Sequence, residues 1–227
     1  MRKITCVLDD TTGLVEIKYD NGLKKCNRLV TATDFIKSIQ TSIAAKESND
    51  KVIKYITPLY TEKENVRLLQ VIEYESGKKV YFVHFMPTKM PVMLYERFFD
   101  DVGLPGTIFA IGSVNGVWAN GNIVCVKDTK ITMDTQLYYY PFSNGNDNHI
   151  CIGKNKFSFH IDEYSVLDIP KLFFTMPNTK CSFHPNFNSN KYDYDEMLRE
   201  LSGKDFDNSF LVPMTNINYK RFIEEEF

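Results

Sequence analysis

Charge of one sign and long apolar runs are both scarce in this sequence. Lys and Arg number 27 against 29 Asp and Glu, a formal charge of −2, which gives no electrostatic reason to expect nucleic acid or an anionic membrane as the main partner. No window approaches the ~18 consecutive apolar residues that a spanning helix needs. The N-terminus, Met1-Arg-Lys-Ile-Thr-Cys6, turns polar at Asp9-Asp10 and lacks the apolar stretch of a secretory signal, so a cytoplasmic protein is expected. Phosphate-binding glycine loops are missing too: neither Gly103 to Gly106 nor Gly112 to Gly116 has the Lys-Ser/Thr or the repeated spacing required. No cofactor is therefore expected, and nucleotide chemistry falls to a partner. Five cysteines, at 6, 26, 125, 151 and 181, form no close pairs and no disulfide framework. Free thiols are the default, most of them small buried apolar residues.

What is present suits a globular protein of one large or two small domains: 227 residues, 43% hydrophobic and 25% charged. Aromatic content is 14%, with Phe 17 and Tyr 13 but Trp 1, as a strand-rich fold prefers. Residues 3–9, 14–19 and 23–30 read as three strands joined at Thr11-Thr-Gly13 and Asp20-Asn-Gly22. Thr33 can cap a helix with Phe35, Ile36, Ile39 and Ile43 on one face. Strands resume at 68–74 and 79–85 around a turn at 75–78. Pro87 and Pro91 bracket an irregular segment before Val92 to Tyr95, and further strands follow at 107–111, around Val117-Trp118, and at 123–127 after a turn at Asn120-Gly-Asn122. Helices are expected at Ser165 to Met176, interrupted by Pro170, and at Tyr194 to Leu201. The fold expected is α+β: an antiparallel meander with C-terminal helices over 76–227, preceded by a strand-and-helix extension over 1–75.

The stretch Leu137 to Cys151 organises the chemistry. Aromatic strand formers end at Pro141, a Ser/Asn/Gly/Asp segment turns the chain, and apolar character returns at Ile150-Cys-Ile152, which presents a thiol at the lip of a loop. A cysteine nucleophile needs exposure and nearby positive or donor groups, and His149 stands two residues before it, projecting the same way if the segment is extended. The bland alternative is a core cysteine in an apolar triplet. Another is zinc, held by His149, Cys151, Cys181 and His184, and a third is a Cys-His hydrolase using His160 or His184. Downstream, His184-Pro-Asn186 is ordinary turn chemistry or a segment that folds back toward Cys151.

A proline, an Asn-rich loop and a cysteine ten residues after the proline is a layout similar to the active site of ubiquitin-conjugating enzymes, where His-Pro-Asn precedes the catalytic cysteine. Here Tyr140 stands for the His and Phe142 for the Asn. Together with Leu104-Pro-Gly106, Trp118, Ile150-Cys-Ile-Gly153, Phe173-Phe174 and Ser182-Phe-His-Pro-Asn186, the stretch resembles protein B of the bacterial PRTRC cassette, a prokaryotic ubiquitin-conjugating-like family, over residues ~80 to ~212. The resemblance implies that Cys151 accepts a small ubiquitin-like protein as a thioester from a ThiF-like adenylating enzyme and passes it to an amine. A metallopeptidase and a ParB-related protein are the other cassette products it implies as partners. The oxyanion role falls to Asn144 first among Asn144, Asn146 and Asn148. Tyr140 takes a structural part with its hydroxyl on the loop backbone, and Asp147 could orient a lysine. A catalytically inactive member of the fold that scaffolds the cassette is the rival reading.

Overall fold

The computed structural model describes residues 3–9, 11–20, 25–32, 35–36, 52–56, 61–146, 148–155 and 157–225. The chain divides into two units, Met1–Lys51 and Val52–Phe227. In the first, β1 (Lys3–Asp9), β2 (Leu14–Asp20) and β3 (Lys25–Thr31) form an antiparallel sheet in that order. The β1–β2 turn is built by Asp9, whose Oδ1 accepts from the Thr11 amide at 2.9 Å and hydroxyl at 2.6 Å. Gly13 closes it at φ 68°, a conformation that favours glycine. The hydrogen bonds from Thr11, then Thr12, hold the Asp9 carboxyl below its ordinary value. Of the helix expected from Thr33, residues 33–34 and 37–51 lie outside the described residues.

The second unit carries β4 (Val52–Ile56), β5 (Glu62–Lys63), β6 (Val66–Tyr74), β7 (Lys78–Phe85), β8 (Thr88–Leu94), β9 (Arg97–Leu104), β10 (Gly106–Val114), β11 (Val117–Val126), β12 (Gln136–Tyr138), β13 (Gly145–Asn146) and β14 (His149–Ile150). After these come a 3-10 turn at Ser165–Asp168, α1 (Ile169–Thr175), α2 (Tyr194–Leu201), β15 (Pro213–Asn218) and α3 (Tyr219–Glu225). The main sheet runs β13-β14-β11-β10-β7-β6-β4, with β5 beside β6, β12 beside β11 and β15 beside β12; β8 and β9 pair separately. All described pairings within it are antiparallel, so the unit is mostly antiparallel sheet with few helices.

Its central strands are buried on both faces, which explains why Val80-Tyr-Phe-Val83 and Ile108-Phe-Ala-Ile111 read as unbroken apolar runs. One face, with Tyr81, Val83, Phe85, Phe109 and Ile111, packs against Phe173 and Phe174 of α1, against Met197, Leu198 and Leu201 of α2, and against the β8–β9 hairpin. Phe109 meets the Phe173 and Phe174 rings edge-on at 5.5 and 5.8 Å. The other face, with Val80, Phe82, Ile108 and Ala110, lies under Met214 and the α3 residues Tyr219, Phe222 and Ile223. A capping box fixes the start of α2: the Asp193 carboxylate accepts from the Glu196 amide at 2.8 Å, and the Glu196 carboxylate accepts from the Asp193 amide at 3.1 Å.

Several expectations are corrected. The division falls at Lys51/Val52 and not near residue 75, because β6 pairs with β4 and β7 inside the main sheet. Asn120 to Asn122 is no turn: β11 runs straight through it, and Gly121 is there because a Cβ would sit 2.6 Å from the Trp118 ring. Pro91 stands within β8, at a register shift between Met90 and Val92 in a two-stranded ribbon, where a missing donor is tolerated. Pro170 opens α1 within its first turn, where its absent N–H leaves no bond unmade.

His84, on β7, is 0% exposed, and among the described residues neither ring nitrogen has a hydrogen-bond partner. Burial, with the cross-strand Arg67 guanidinium adding to it, pushes its pKa from 6.5 down to about 4. The folded chain thus binds this proton less readily than the unfolded chain, so the stability is whole above pH 6.5 and is lost as pH falls toward 4. Urea unfolding at about pH 7.5 and about pH 5 is expected to show ~2 kcal/mol of loss owed to His84, and His84→Leu is expected to remove that part of the pH dependence.

Candidate active site

Pro141 ends the run of aromatic residues that follows β12, and the chain then makes a short hairpin hung on the edge of the main sheet. Phe142 is buried against Tyr140, Tyr194 and Phe206. The Ser143 hydroxyl donates to the Thr179 carbonyl. Asn144 takes φ 64° and turns the chain into Gly145. The β13–β14 hairpin pairs Gly145 with Ile150 and Asn146 with His149, and Asn148 at φ 68° belongs to its turn; Asp147 lies outside the described residues. The Asn148 carbonyl accepts from the Ile123 amide at 2.7 Å, and Asn122 is the direct partner of His149, so two contacts fasten the hairpin to β11.

Cys151 follows at once. Its amide donates to the Asn144 carbonyl at 2.8 Å, one step beyond the Gly145–Ile150 pair, and the residue is exposed. The structure therefore brings Asn144 and Cys151 face to face through the backbone. The Asn144 side-chain amide itself donates to the Pro177 carbonyl at 3.3 Å. His149 is exposed and its Nδ1 lies 2.6 Å from Asn122 Oδ1. Asn148 is buried, and its Oδ1 has no hydrogen-bond partner among the described residues.

Tyr140 is a core residue, 3% exposed, among Phe142, Phe173 and Phe174. Burial pushes its hydroxyl well above the usual phenol range. The contact it makes with the loop is through its ring: a Cβ on Gly145 would stand 2.5 Å from Tyr140 Cδ1, so the hairpin can lie on the ring only with glycine there. The other described thiols divide clearly. Cys125 is fully buried and burial raises its pKa, while Cys6 and Cys181 are exposed.

Among the described residues no three His, Cys, Asp or Glu side chains are placed to hold a metal ion, so the zinc quartet is not assembled. His184 stacks on Phe187 at 4.7 Å and its Nδ1 accepts from the Asn186 amide at 3.3 Å, which caps a 3-10 turn over Pro185–Phe187. The literal His-Pro-Asn is thus a capped surface turn. His160 lays its ring on Gly116 at the β10–β11 turn.

Two parts of the site escaped the sequence. One is Asn122, assigned to a turn although it lies inside β11 directly before the apolar residues Ile123 to Val126. The other is the segment 176–180, held on both sides: Asn178 exchanges backbone hydrogen bonds with Met93 and Tyr95 at 2.8 and 2.9 Å, while Pro177 and Thr179 accept from Asn144 and Ser143. Lys180 also pairs with Asp195 of α2, and this bond, with Arg97 nearby, holds the Asp195 carboxyl below its ordinary value. These contacts are long-range in sequence and have no local signature.

Phe142→Asn, which writes the conjugating-enzyme motif into this position, is expected to lower the unfolding free energy by ~3–5 kcal/mol in urea titrations, because it truncates a buried ring and buries an amide.

The family described as prokaryotic E2 family D matches residues 43–214, well over half of the chain. No curated protein and no solved structure matches significantly. Among the described residues no helix is long and apolar enough to cross a membrane. The matched span contains the whole β6–α2 region and the hairpin that presents Cys151, and the chain belongs to prokaryotic E2 family D, a family of E2-like proteins.

Proposed function

We propose that the chain is a carrier of the PRTRC protein B type, which accepts a small ubiquitin-like protein as a thioester on Cys151 and transfers it to an amine. The observation that supports this most is the exposed Cys151 thiol, held at the open end of a hairpin by its own amide on the Asn144 carbonyl. In the loading step the Cys151 thiolate attacks the thioester carbonyl carbon on a ThiF-like adenylating enzyme. A new C–S bond forms and the enzyme's sulfur leaves with the electron pair. The negative oxygen of the tetrahedral intermediate needs a donor, and the candidate is Nδ2 of Asn144, the residue whose carbonyl takes the Cys151 amide. Its present bond to the Pro177 carbonyl is long at 3.3 Å, at the weak end of hydrogen-bond geometry, so a change of rotamer would release it at small cost.

A second reading has an observation in its favour. The positions that hold His and Asn in conjugating enzymes are Tyr140 and Phe142, both buried, and the amide of Asn144 already has an acceptor. On that reading the chain binds the ubiquitin-like protein and scaffolds the other cassette products, the ParB-related protein and the metallopeptidase included, without thioester transfer.

Incubating the chain with its adenylating enzyme, the ubiquitin-like protein and ATP separates the two. A thiol-sensitive adduct on a non-reducing gel, retained in Cys181→Ser and lost in Cys151→Ser, is the expected result. Absence of the adduct, with the adenylating enzyme itself charged, leaves the scaffold. Given the adduct, Asn144→Ala is expected to slow transfer to an amine by ~10²-fold or more, the usual effect of deleting an oxyanion donor.

A further inference from the structure

We propose that Asn122 and His149 are a positioning pair for the transfer step, in which Asn122 holds the His149 ring in the tautomer that leaves Nε2 free to take the proton of the attacking amine. The inference rests on the thioester reading of Cys151 and adds a base to it.

Asn122 is 3% exposed, on β11, directly before the buried residues Ile123, Val124, Cys125 and Val126. It is the direct cross-strand partner of His149, and directly opposed residues in an antiparallel pair project to the same face. Their side chains meet there: Asn122 Oδ1 lies 2.6 Å from His149 Nδ1. An amide oxygen can only accept, so in the proposed arrangement Nδ1 carries the hydrogen and the lone pair of the neutral ring is on Nε2. The ring is exposed while its anchor is buried, so the anchored nitrogen faces inward and the free one outward.

The position of Cys151 follows from the same ladder. Its amide on the Asn144 carbonyl carries the β13–β14 register one step past Ile150. Residues two apart on an extended strand project the same way with Cα atoms roughly 6.7 Å apart. That separation leaves room for an amine nitrogen between the imidazole and a thioester carbonyl on Cys151. Asn148 keeps the spacing, because its carbonyl accepts from the Ile123 amide and ties the hairpin to the strand that carries Asn122.

The chemistry balances within these groups. The amine nitrogen bonds to the thioester carbonyl carbon, and Nε2 of His149 takes a proton from that nitrogen. The C–S bond then breaks, its electron pair leaves on Cys151 Sγ, and the imidazolium returns the proton to the thiolate. An amide and a free thiol result, with no oxidant or reductant involved.

The test separates loading from discharge. Cys151 is charged with the ubiquitin-like protein in wild type, His149→Gln, Asn122→Leu and Asn122→Ala, the adenylating enzyme is then stopped, and discharge is followed with free lysine and, separately, with hydroxylamine. Lysine is protonated at neutral pH and needs a base, whereas hydroxylamine does not. His149→Gln is expected to slow lysine discharge by ~10²-fold and the Asn122 variants by ~10-fold, with hydroxylamine discharge changed less than about twofold. Nitrogen NMR of the uncharged chain is expected to show His149 as the Nδ1–H tautomer in wild type and a mixture in Asn122→Leu. Equal slowing with both nucleophiles, unchanged lysine discharge in charged variants, or an Nε2–H tautomer in wild type overturns the inference while the carrier reading stands. Failure of wild type to form any Cys151 adduct overturns the carrier reading, and this inference with it.

Discussion

Burial of β7 and β10 on both faces is the constraint from which the rest follows. Tyr81, Phe82, Ile108 and Phe109 are all at 1% exposure or less, and a sheet covered on each side has no room for a solvated polar group at its centre. The cost of an exception is visible at His84, kept neutral by burial, with the Arg67 guanidinium adding to it. Exposed polar groups and the Cys151 thiol lie instead at the edge of the sheet, where the β13–β14 hairpin hangs on β11 and carries Cys151 into solvent.

The edge is made rigid by packing from beneath and latching from the side. Tyr140 supplies a flat apolar surface on which Gly145 rests, so the residue at the histidine position of the conjugating-enzyme pattern serves the loop through its ring. The segment 176–180 acts as the latch. It bonds the tip of the β8–β9 hairpin through Asn178 and the start of the cysteine hairpin through Pro177 and Thr179, and Lys180 ties it to α2. Three parts of the chain far apart in sequence thus meet around Asn144, and their agreement sets where its amide can reach.

Departures from the His-Pro-Asn pattern also become intelligible. With Tyr140 and Phe142 both in the core, the positions that present polar groups in conjugating enzymes here extend the aromatic cluster of Phe173, Phe174, Tyr194 and Phe206. The polar side chains near Cys151 come from residues after the proline, in the hairpin, and from Asn122 across the ladder. A literal His-Pro-Asn persists at residue 184, where it forms a capped turn.

By itself the sequence determined whatever depends on local periodicity and turn chemistry. The strands β1, β2, β6, β7 and β10, the helix α2, the turn at His184 and the thiol at the lip of an Asn-rich loop were all legible, because alternation, helical periodicity and turn residues act within a few positions. Only the tertiary structure decided what depends on residues brought together from afar. Gly121 looked like a turn until Trp118 was seen to lie on it, β9 and β15 carry no alternation of their own, and α3 earns its place by covering Phe82. Whether Asn122 meets His149, and which acceptor takes the Asn144 amide, is fixed by strand register and by the latch at 176–180. Such pairings are set by the energy of burying both faces of the sheet at once, which no short window of sequence contains.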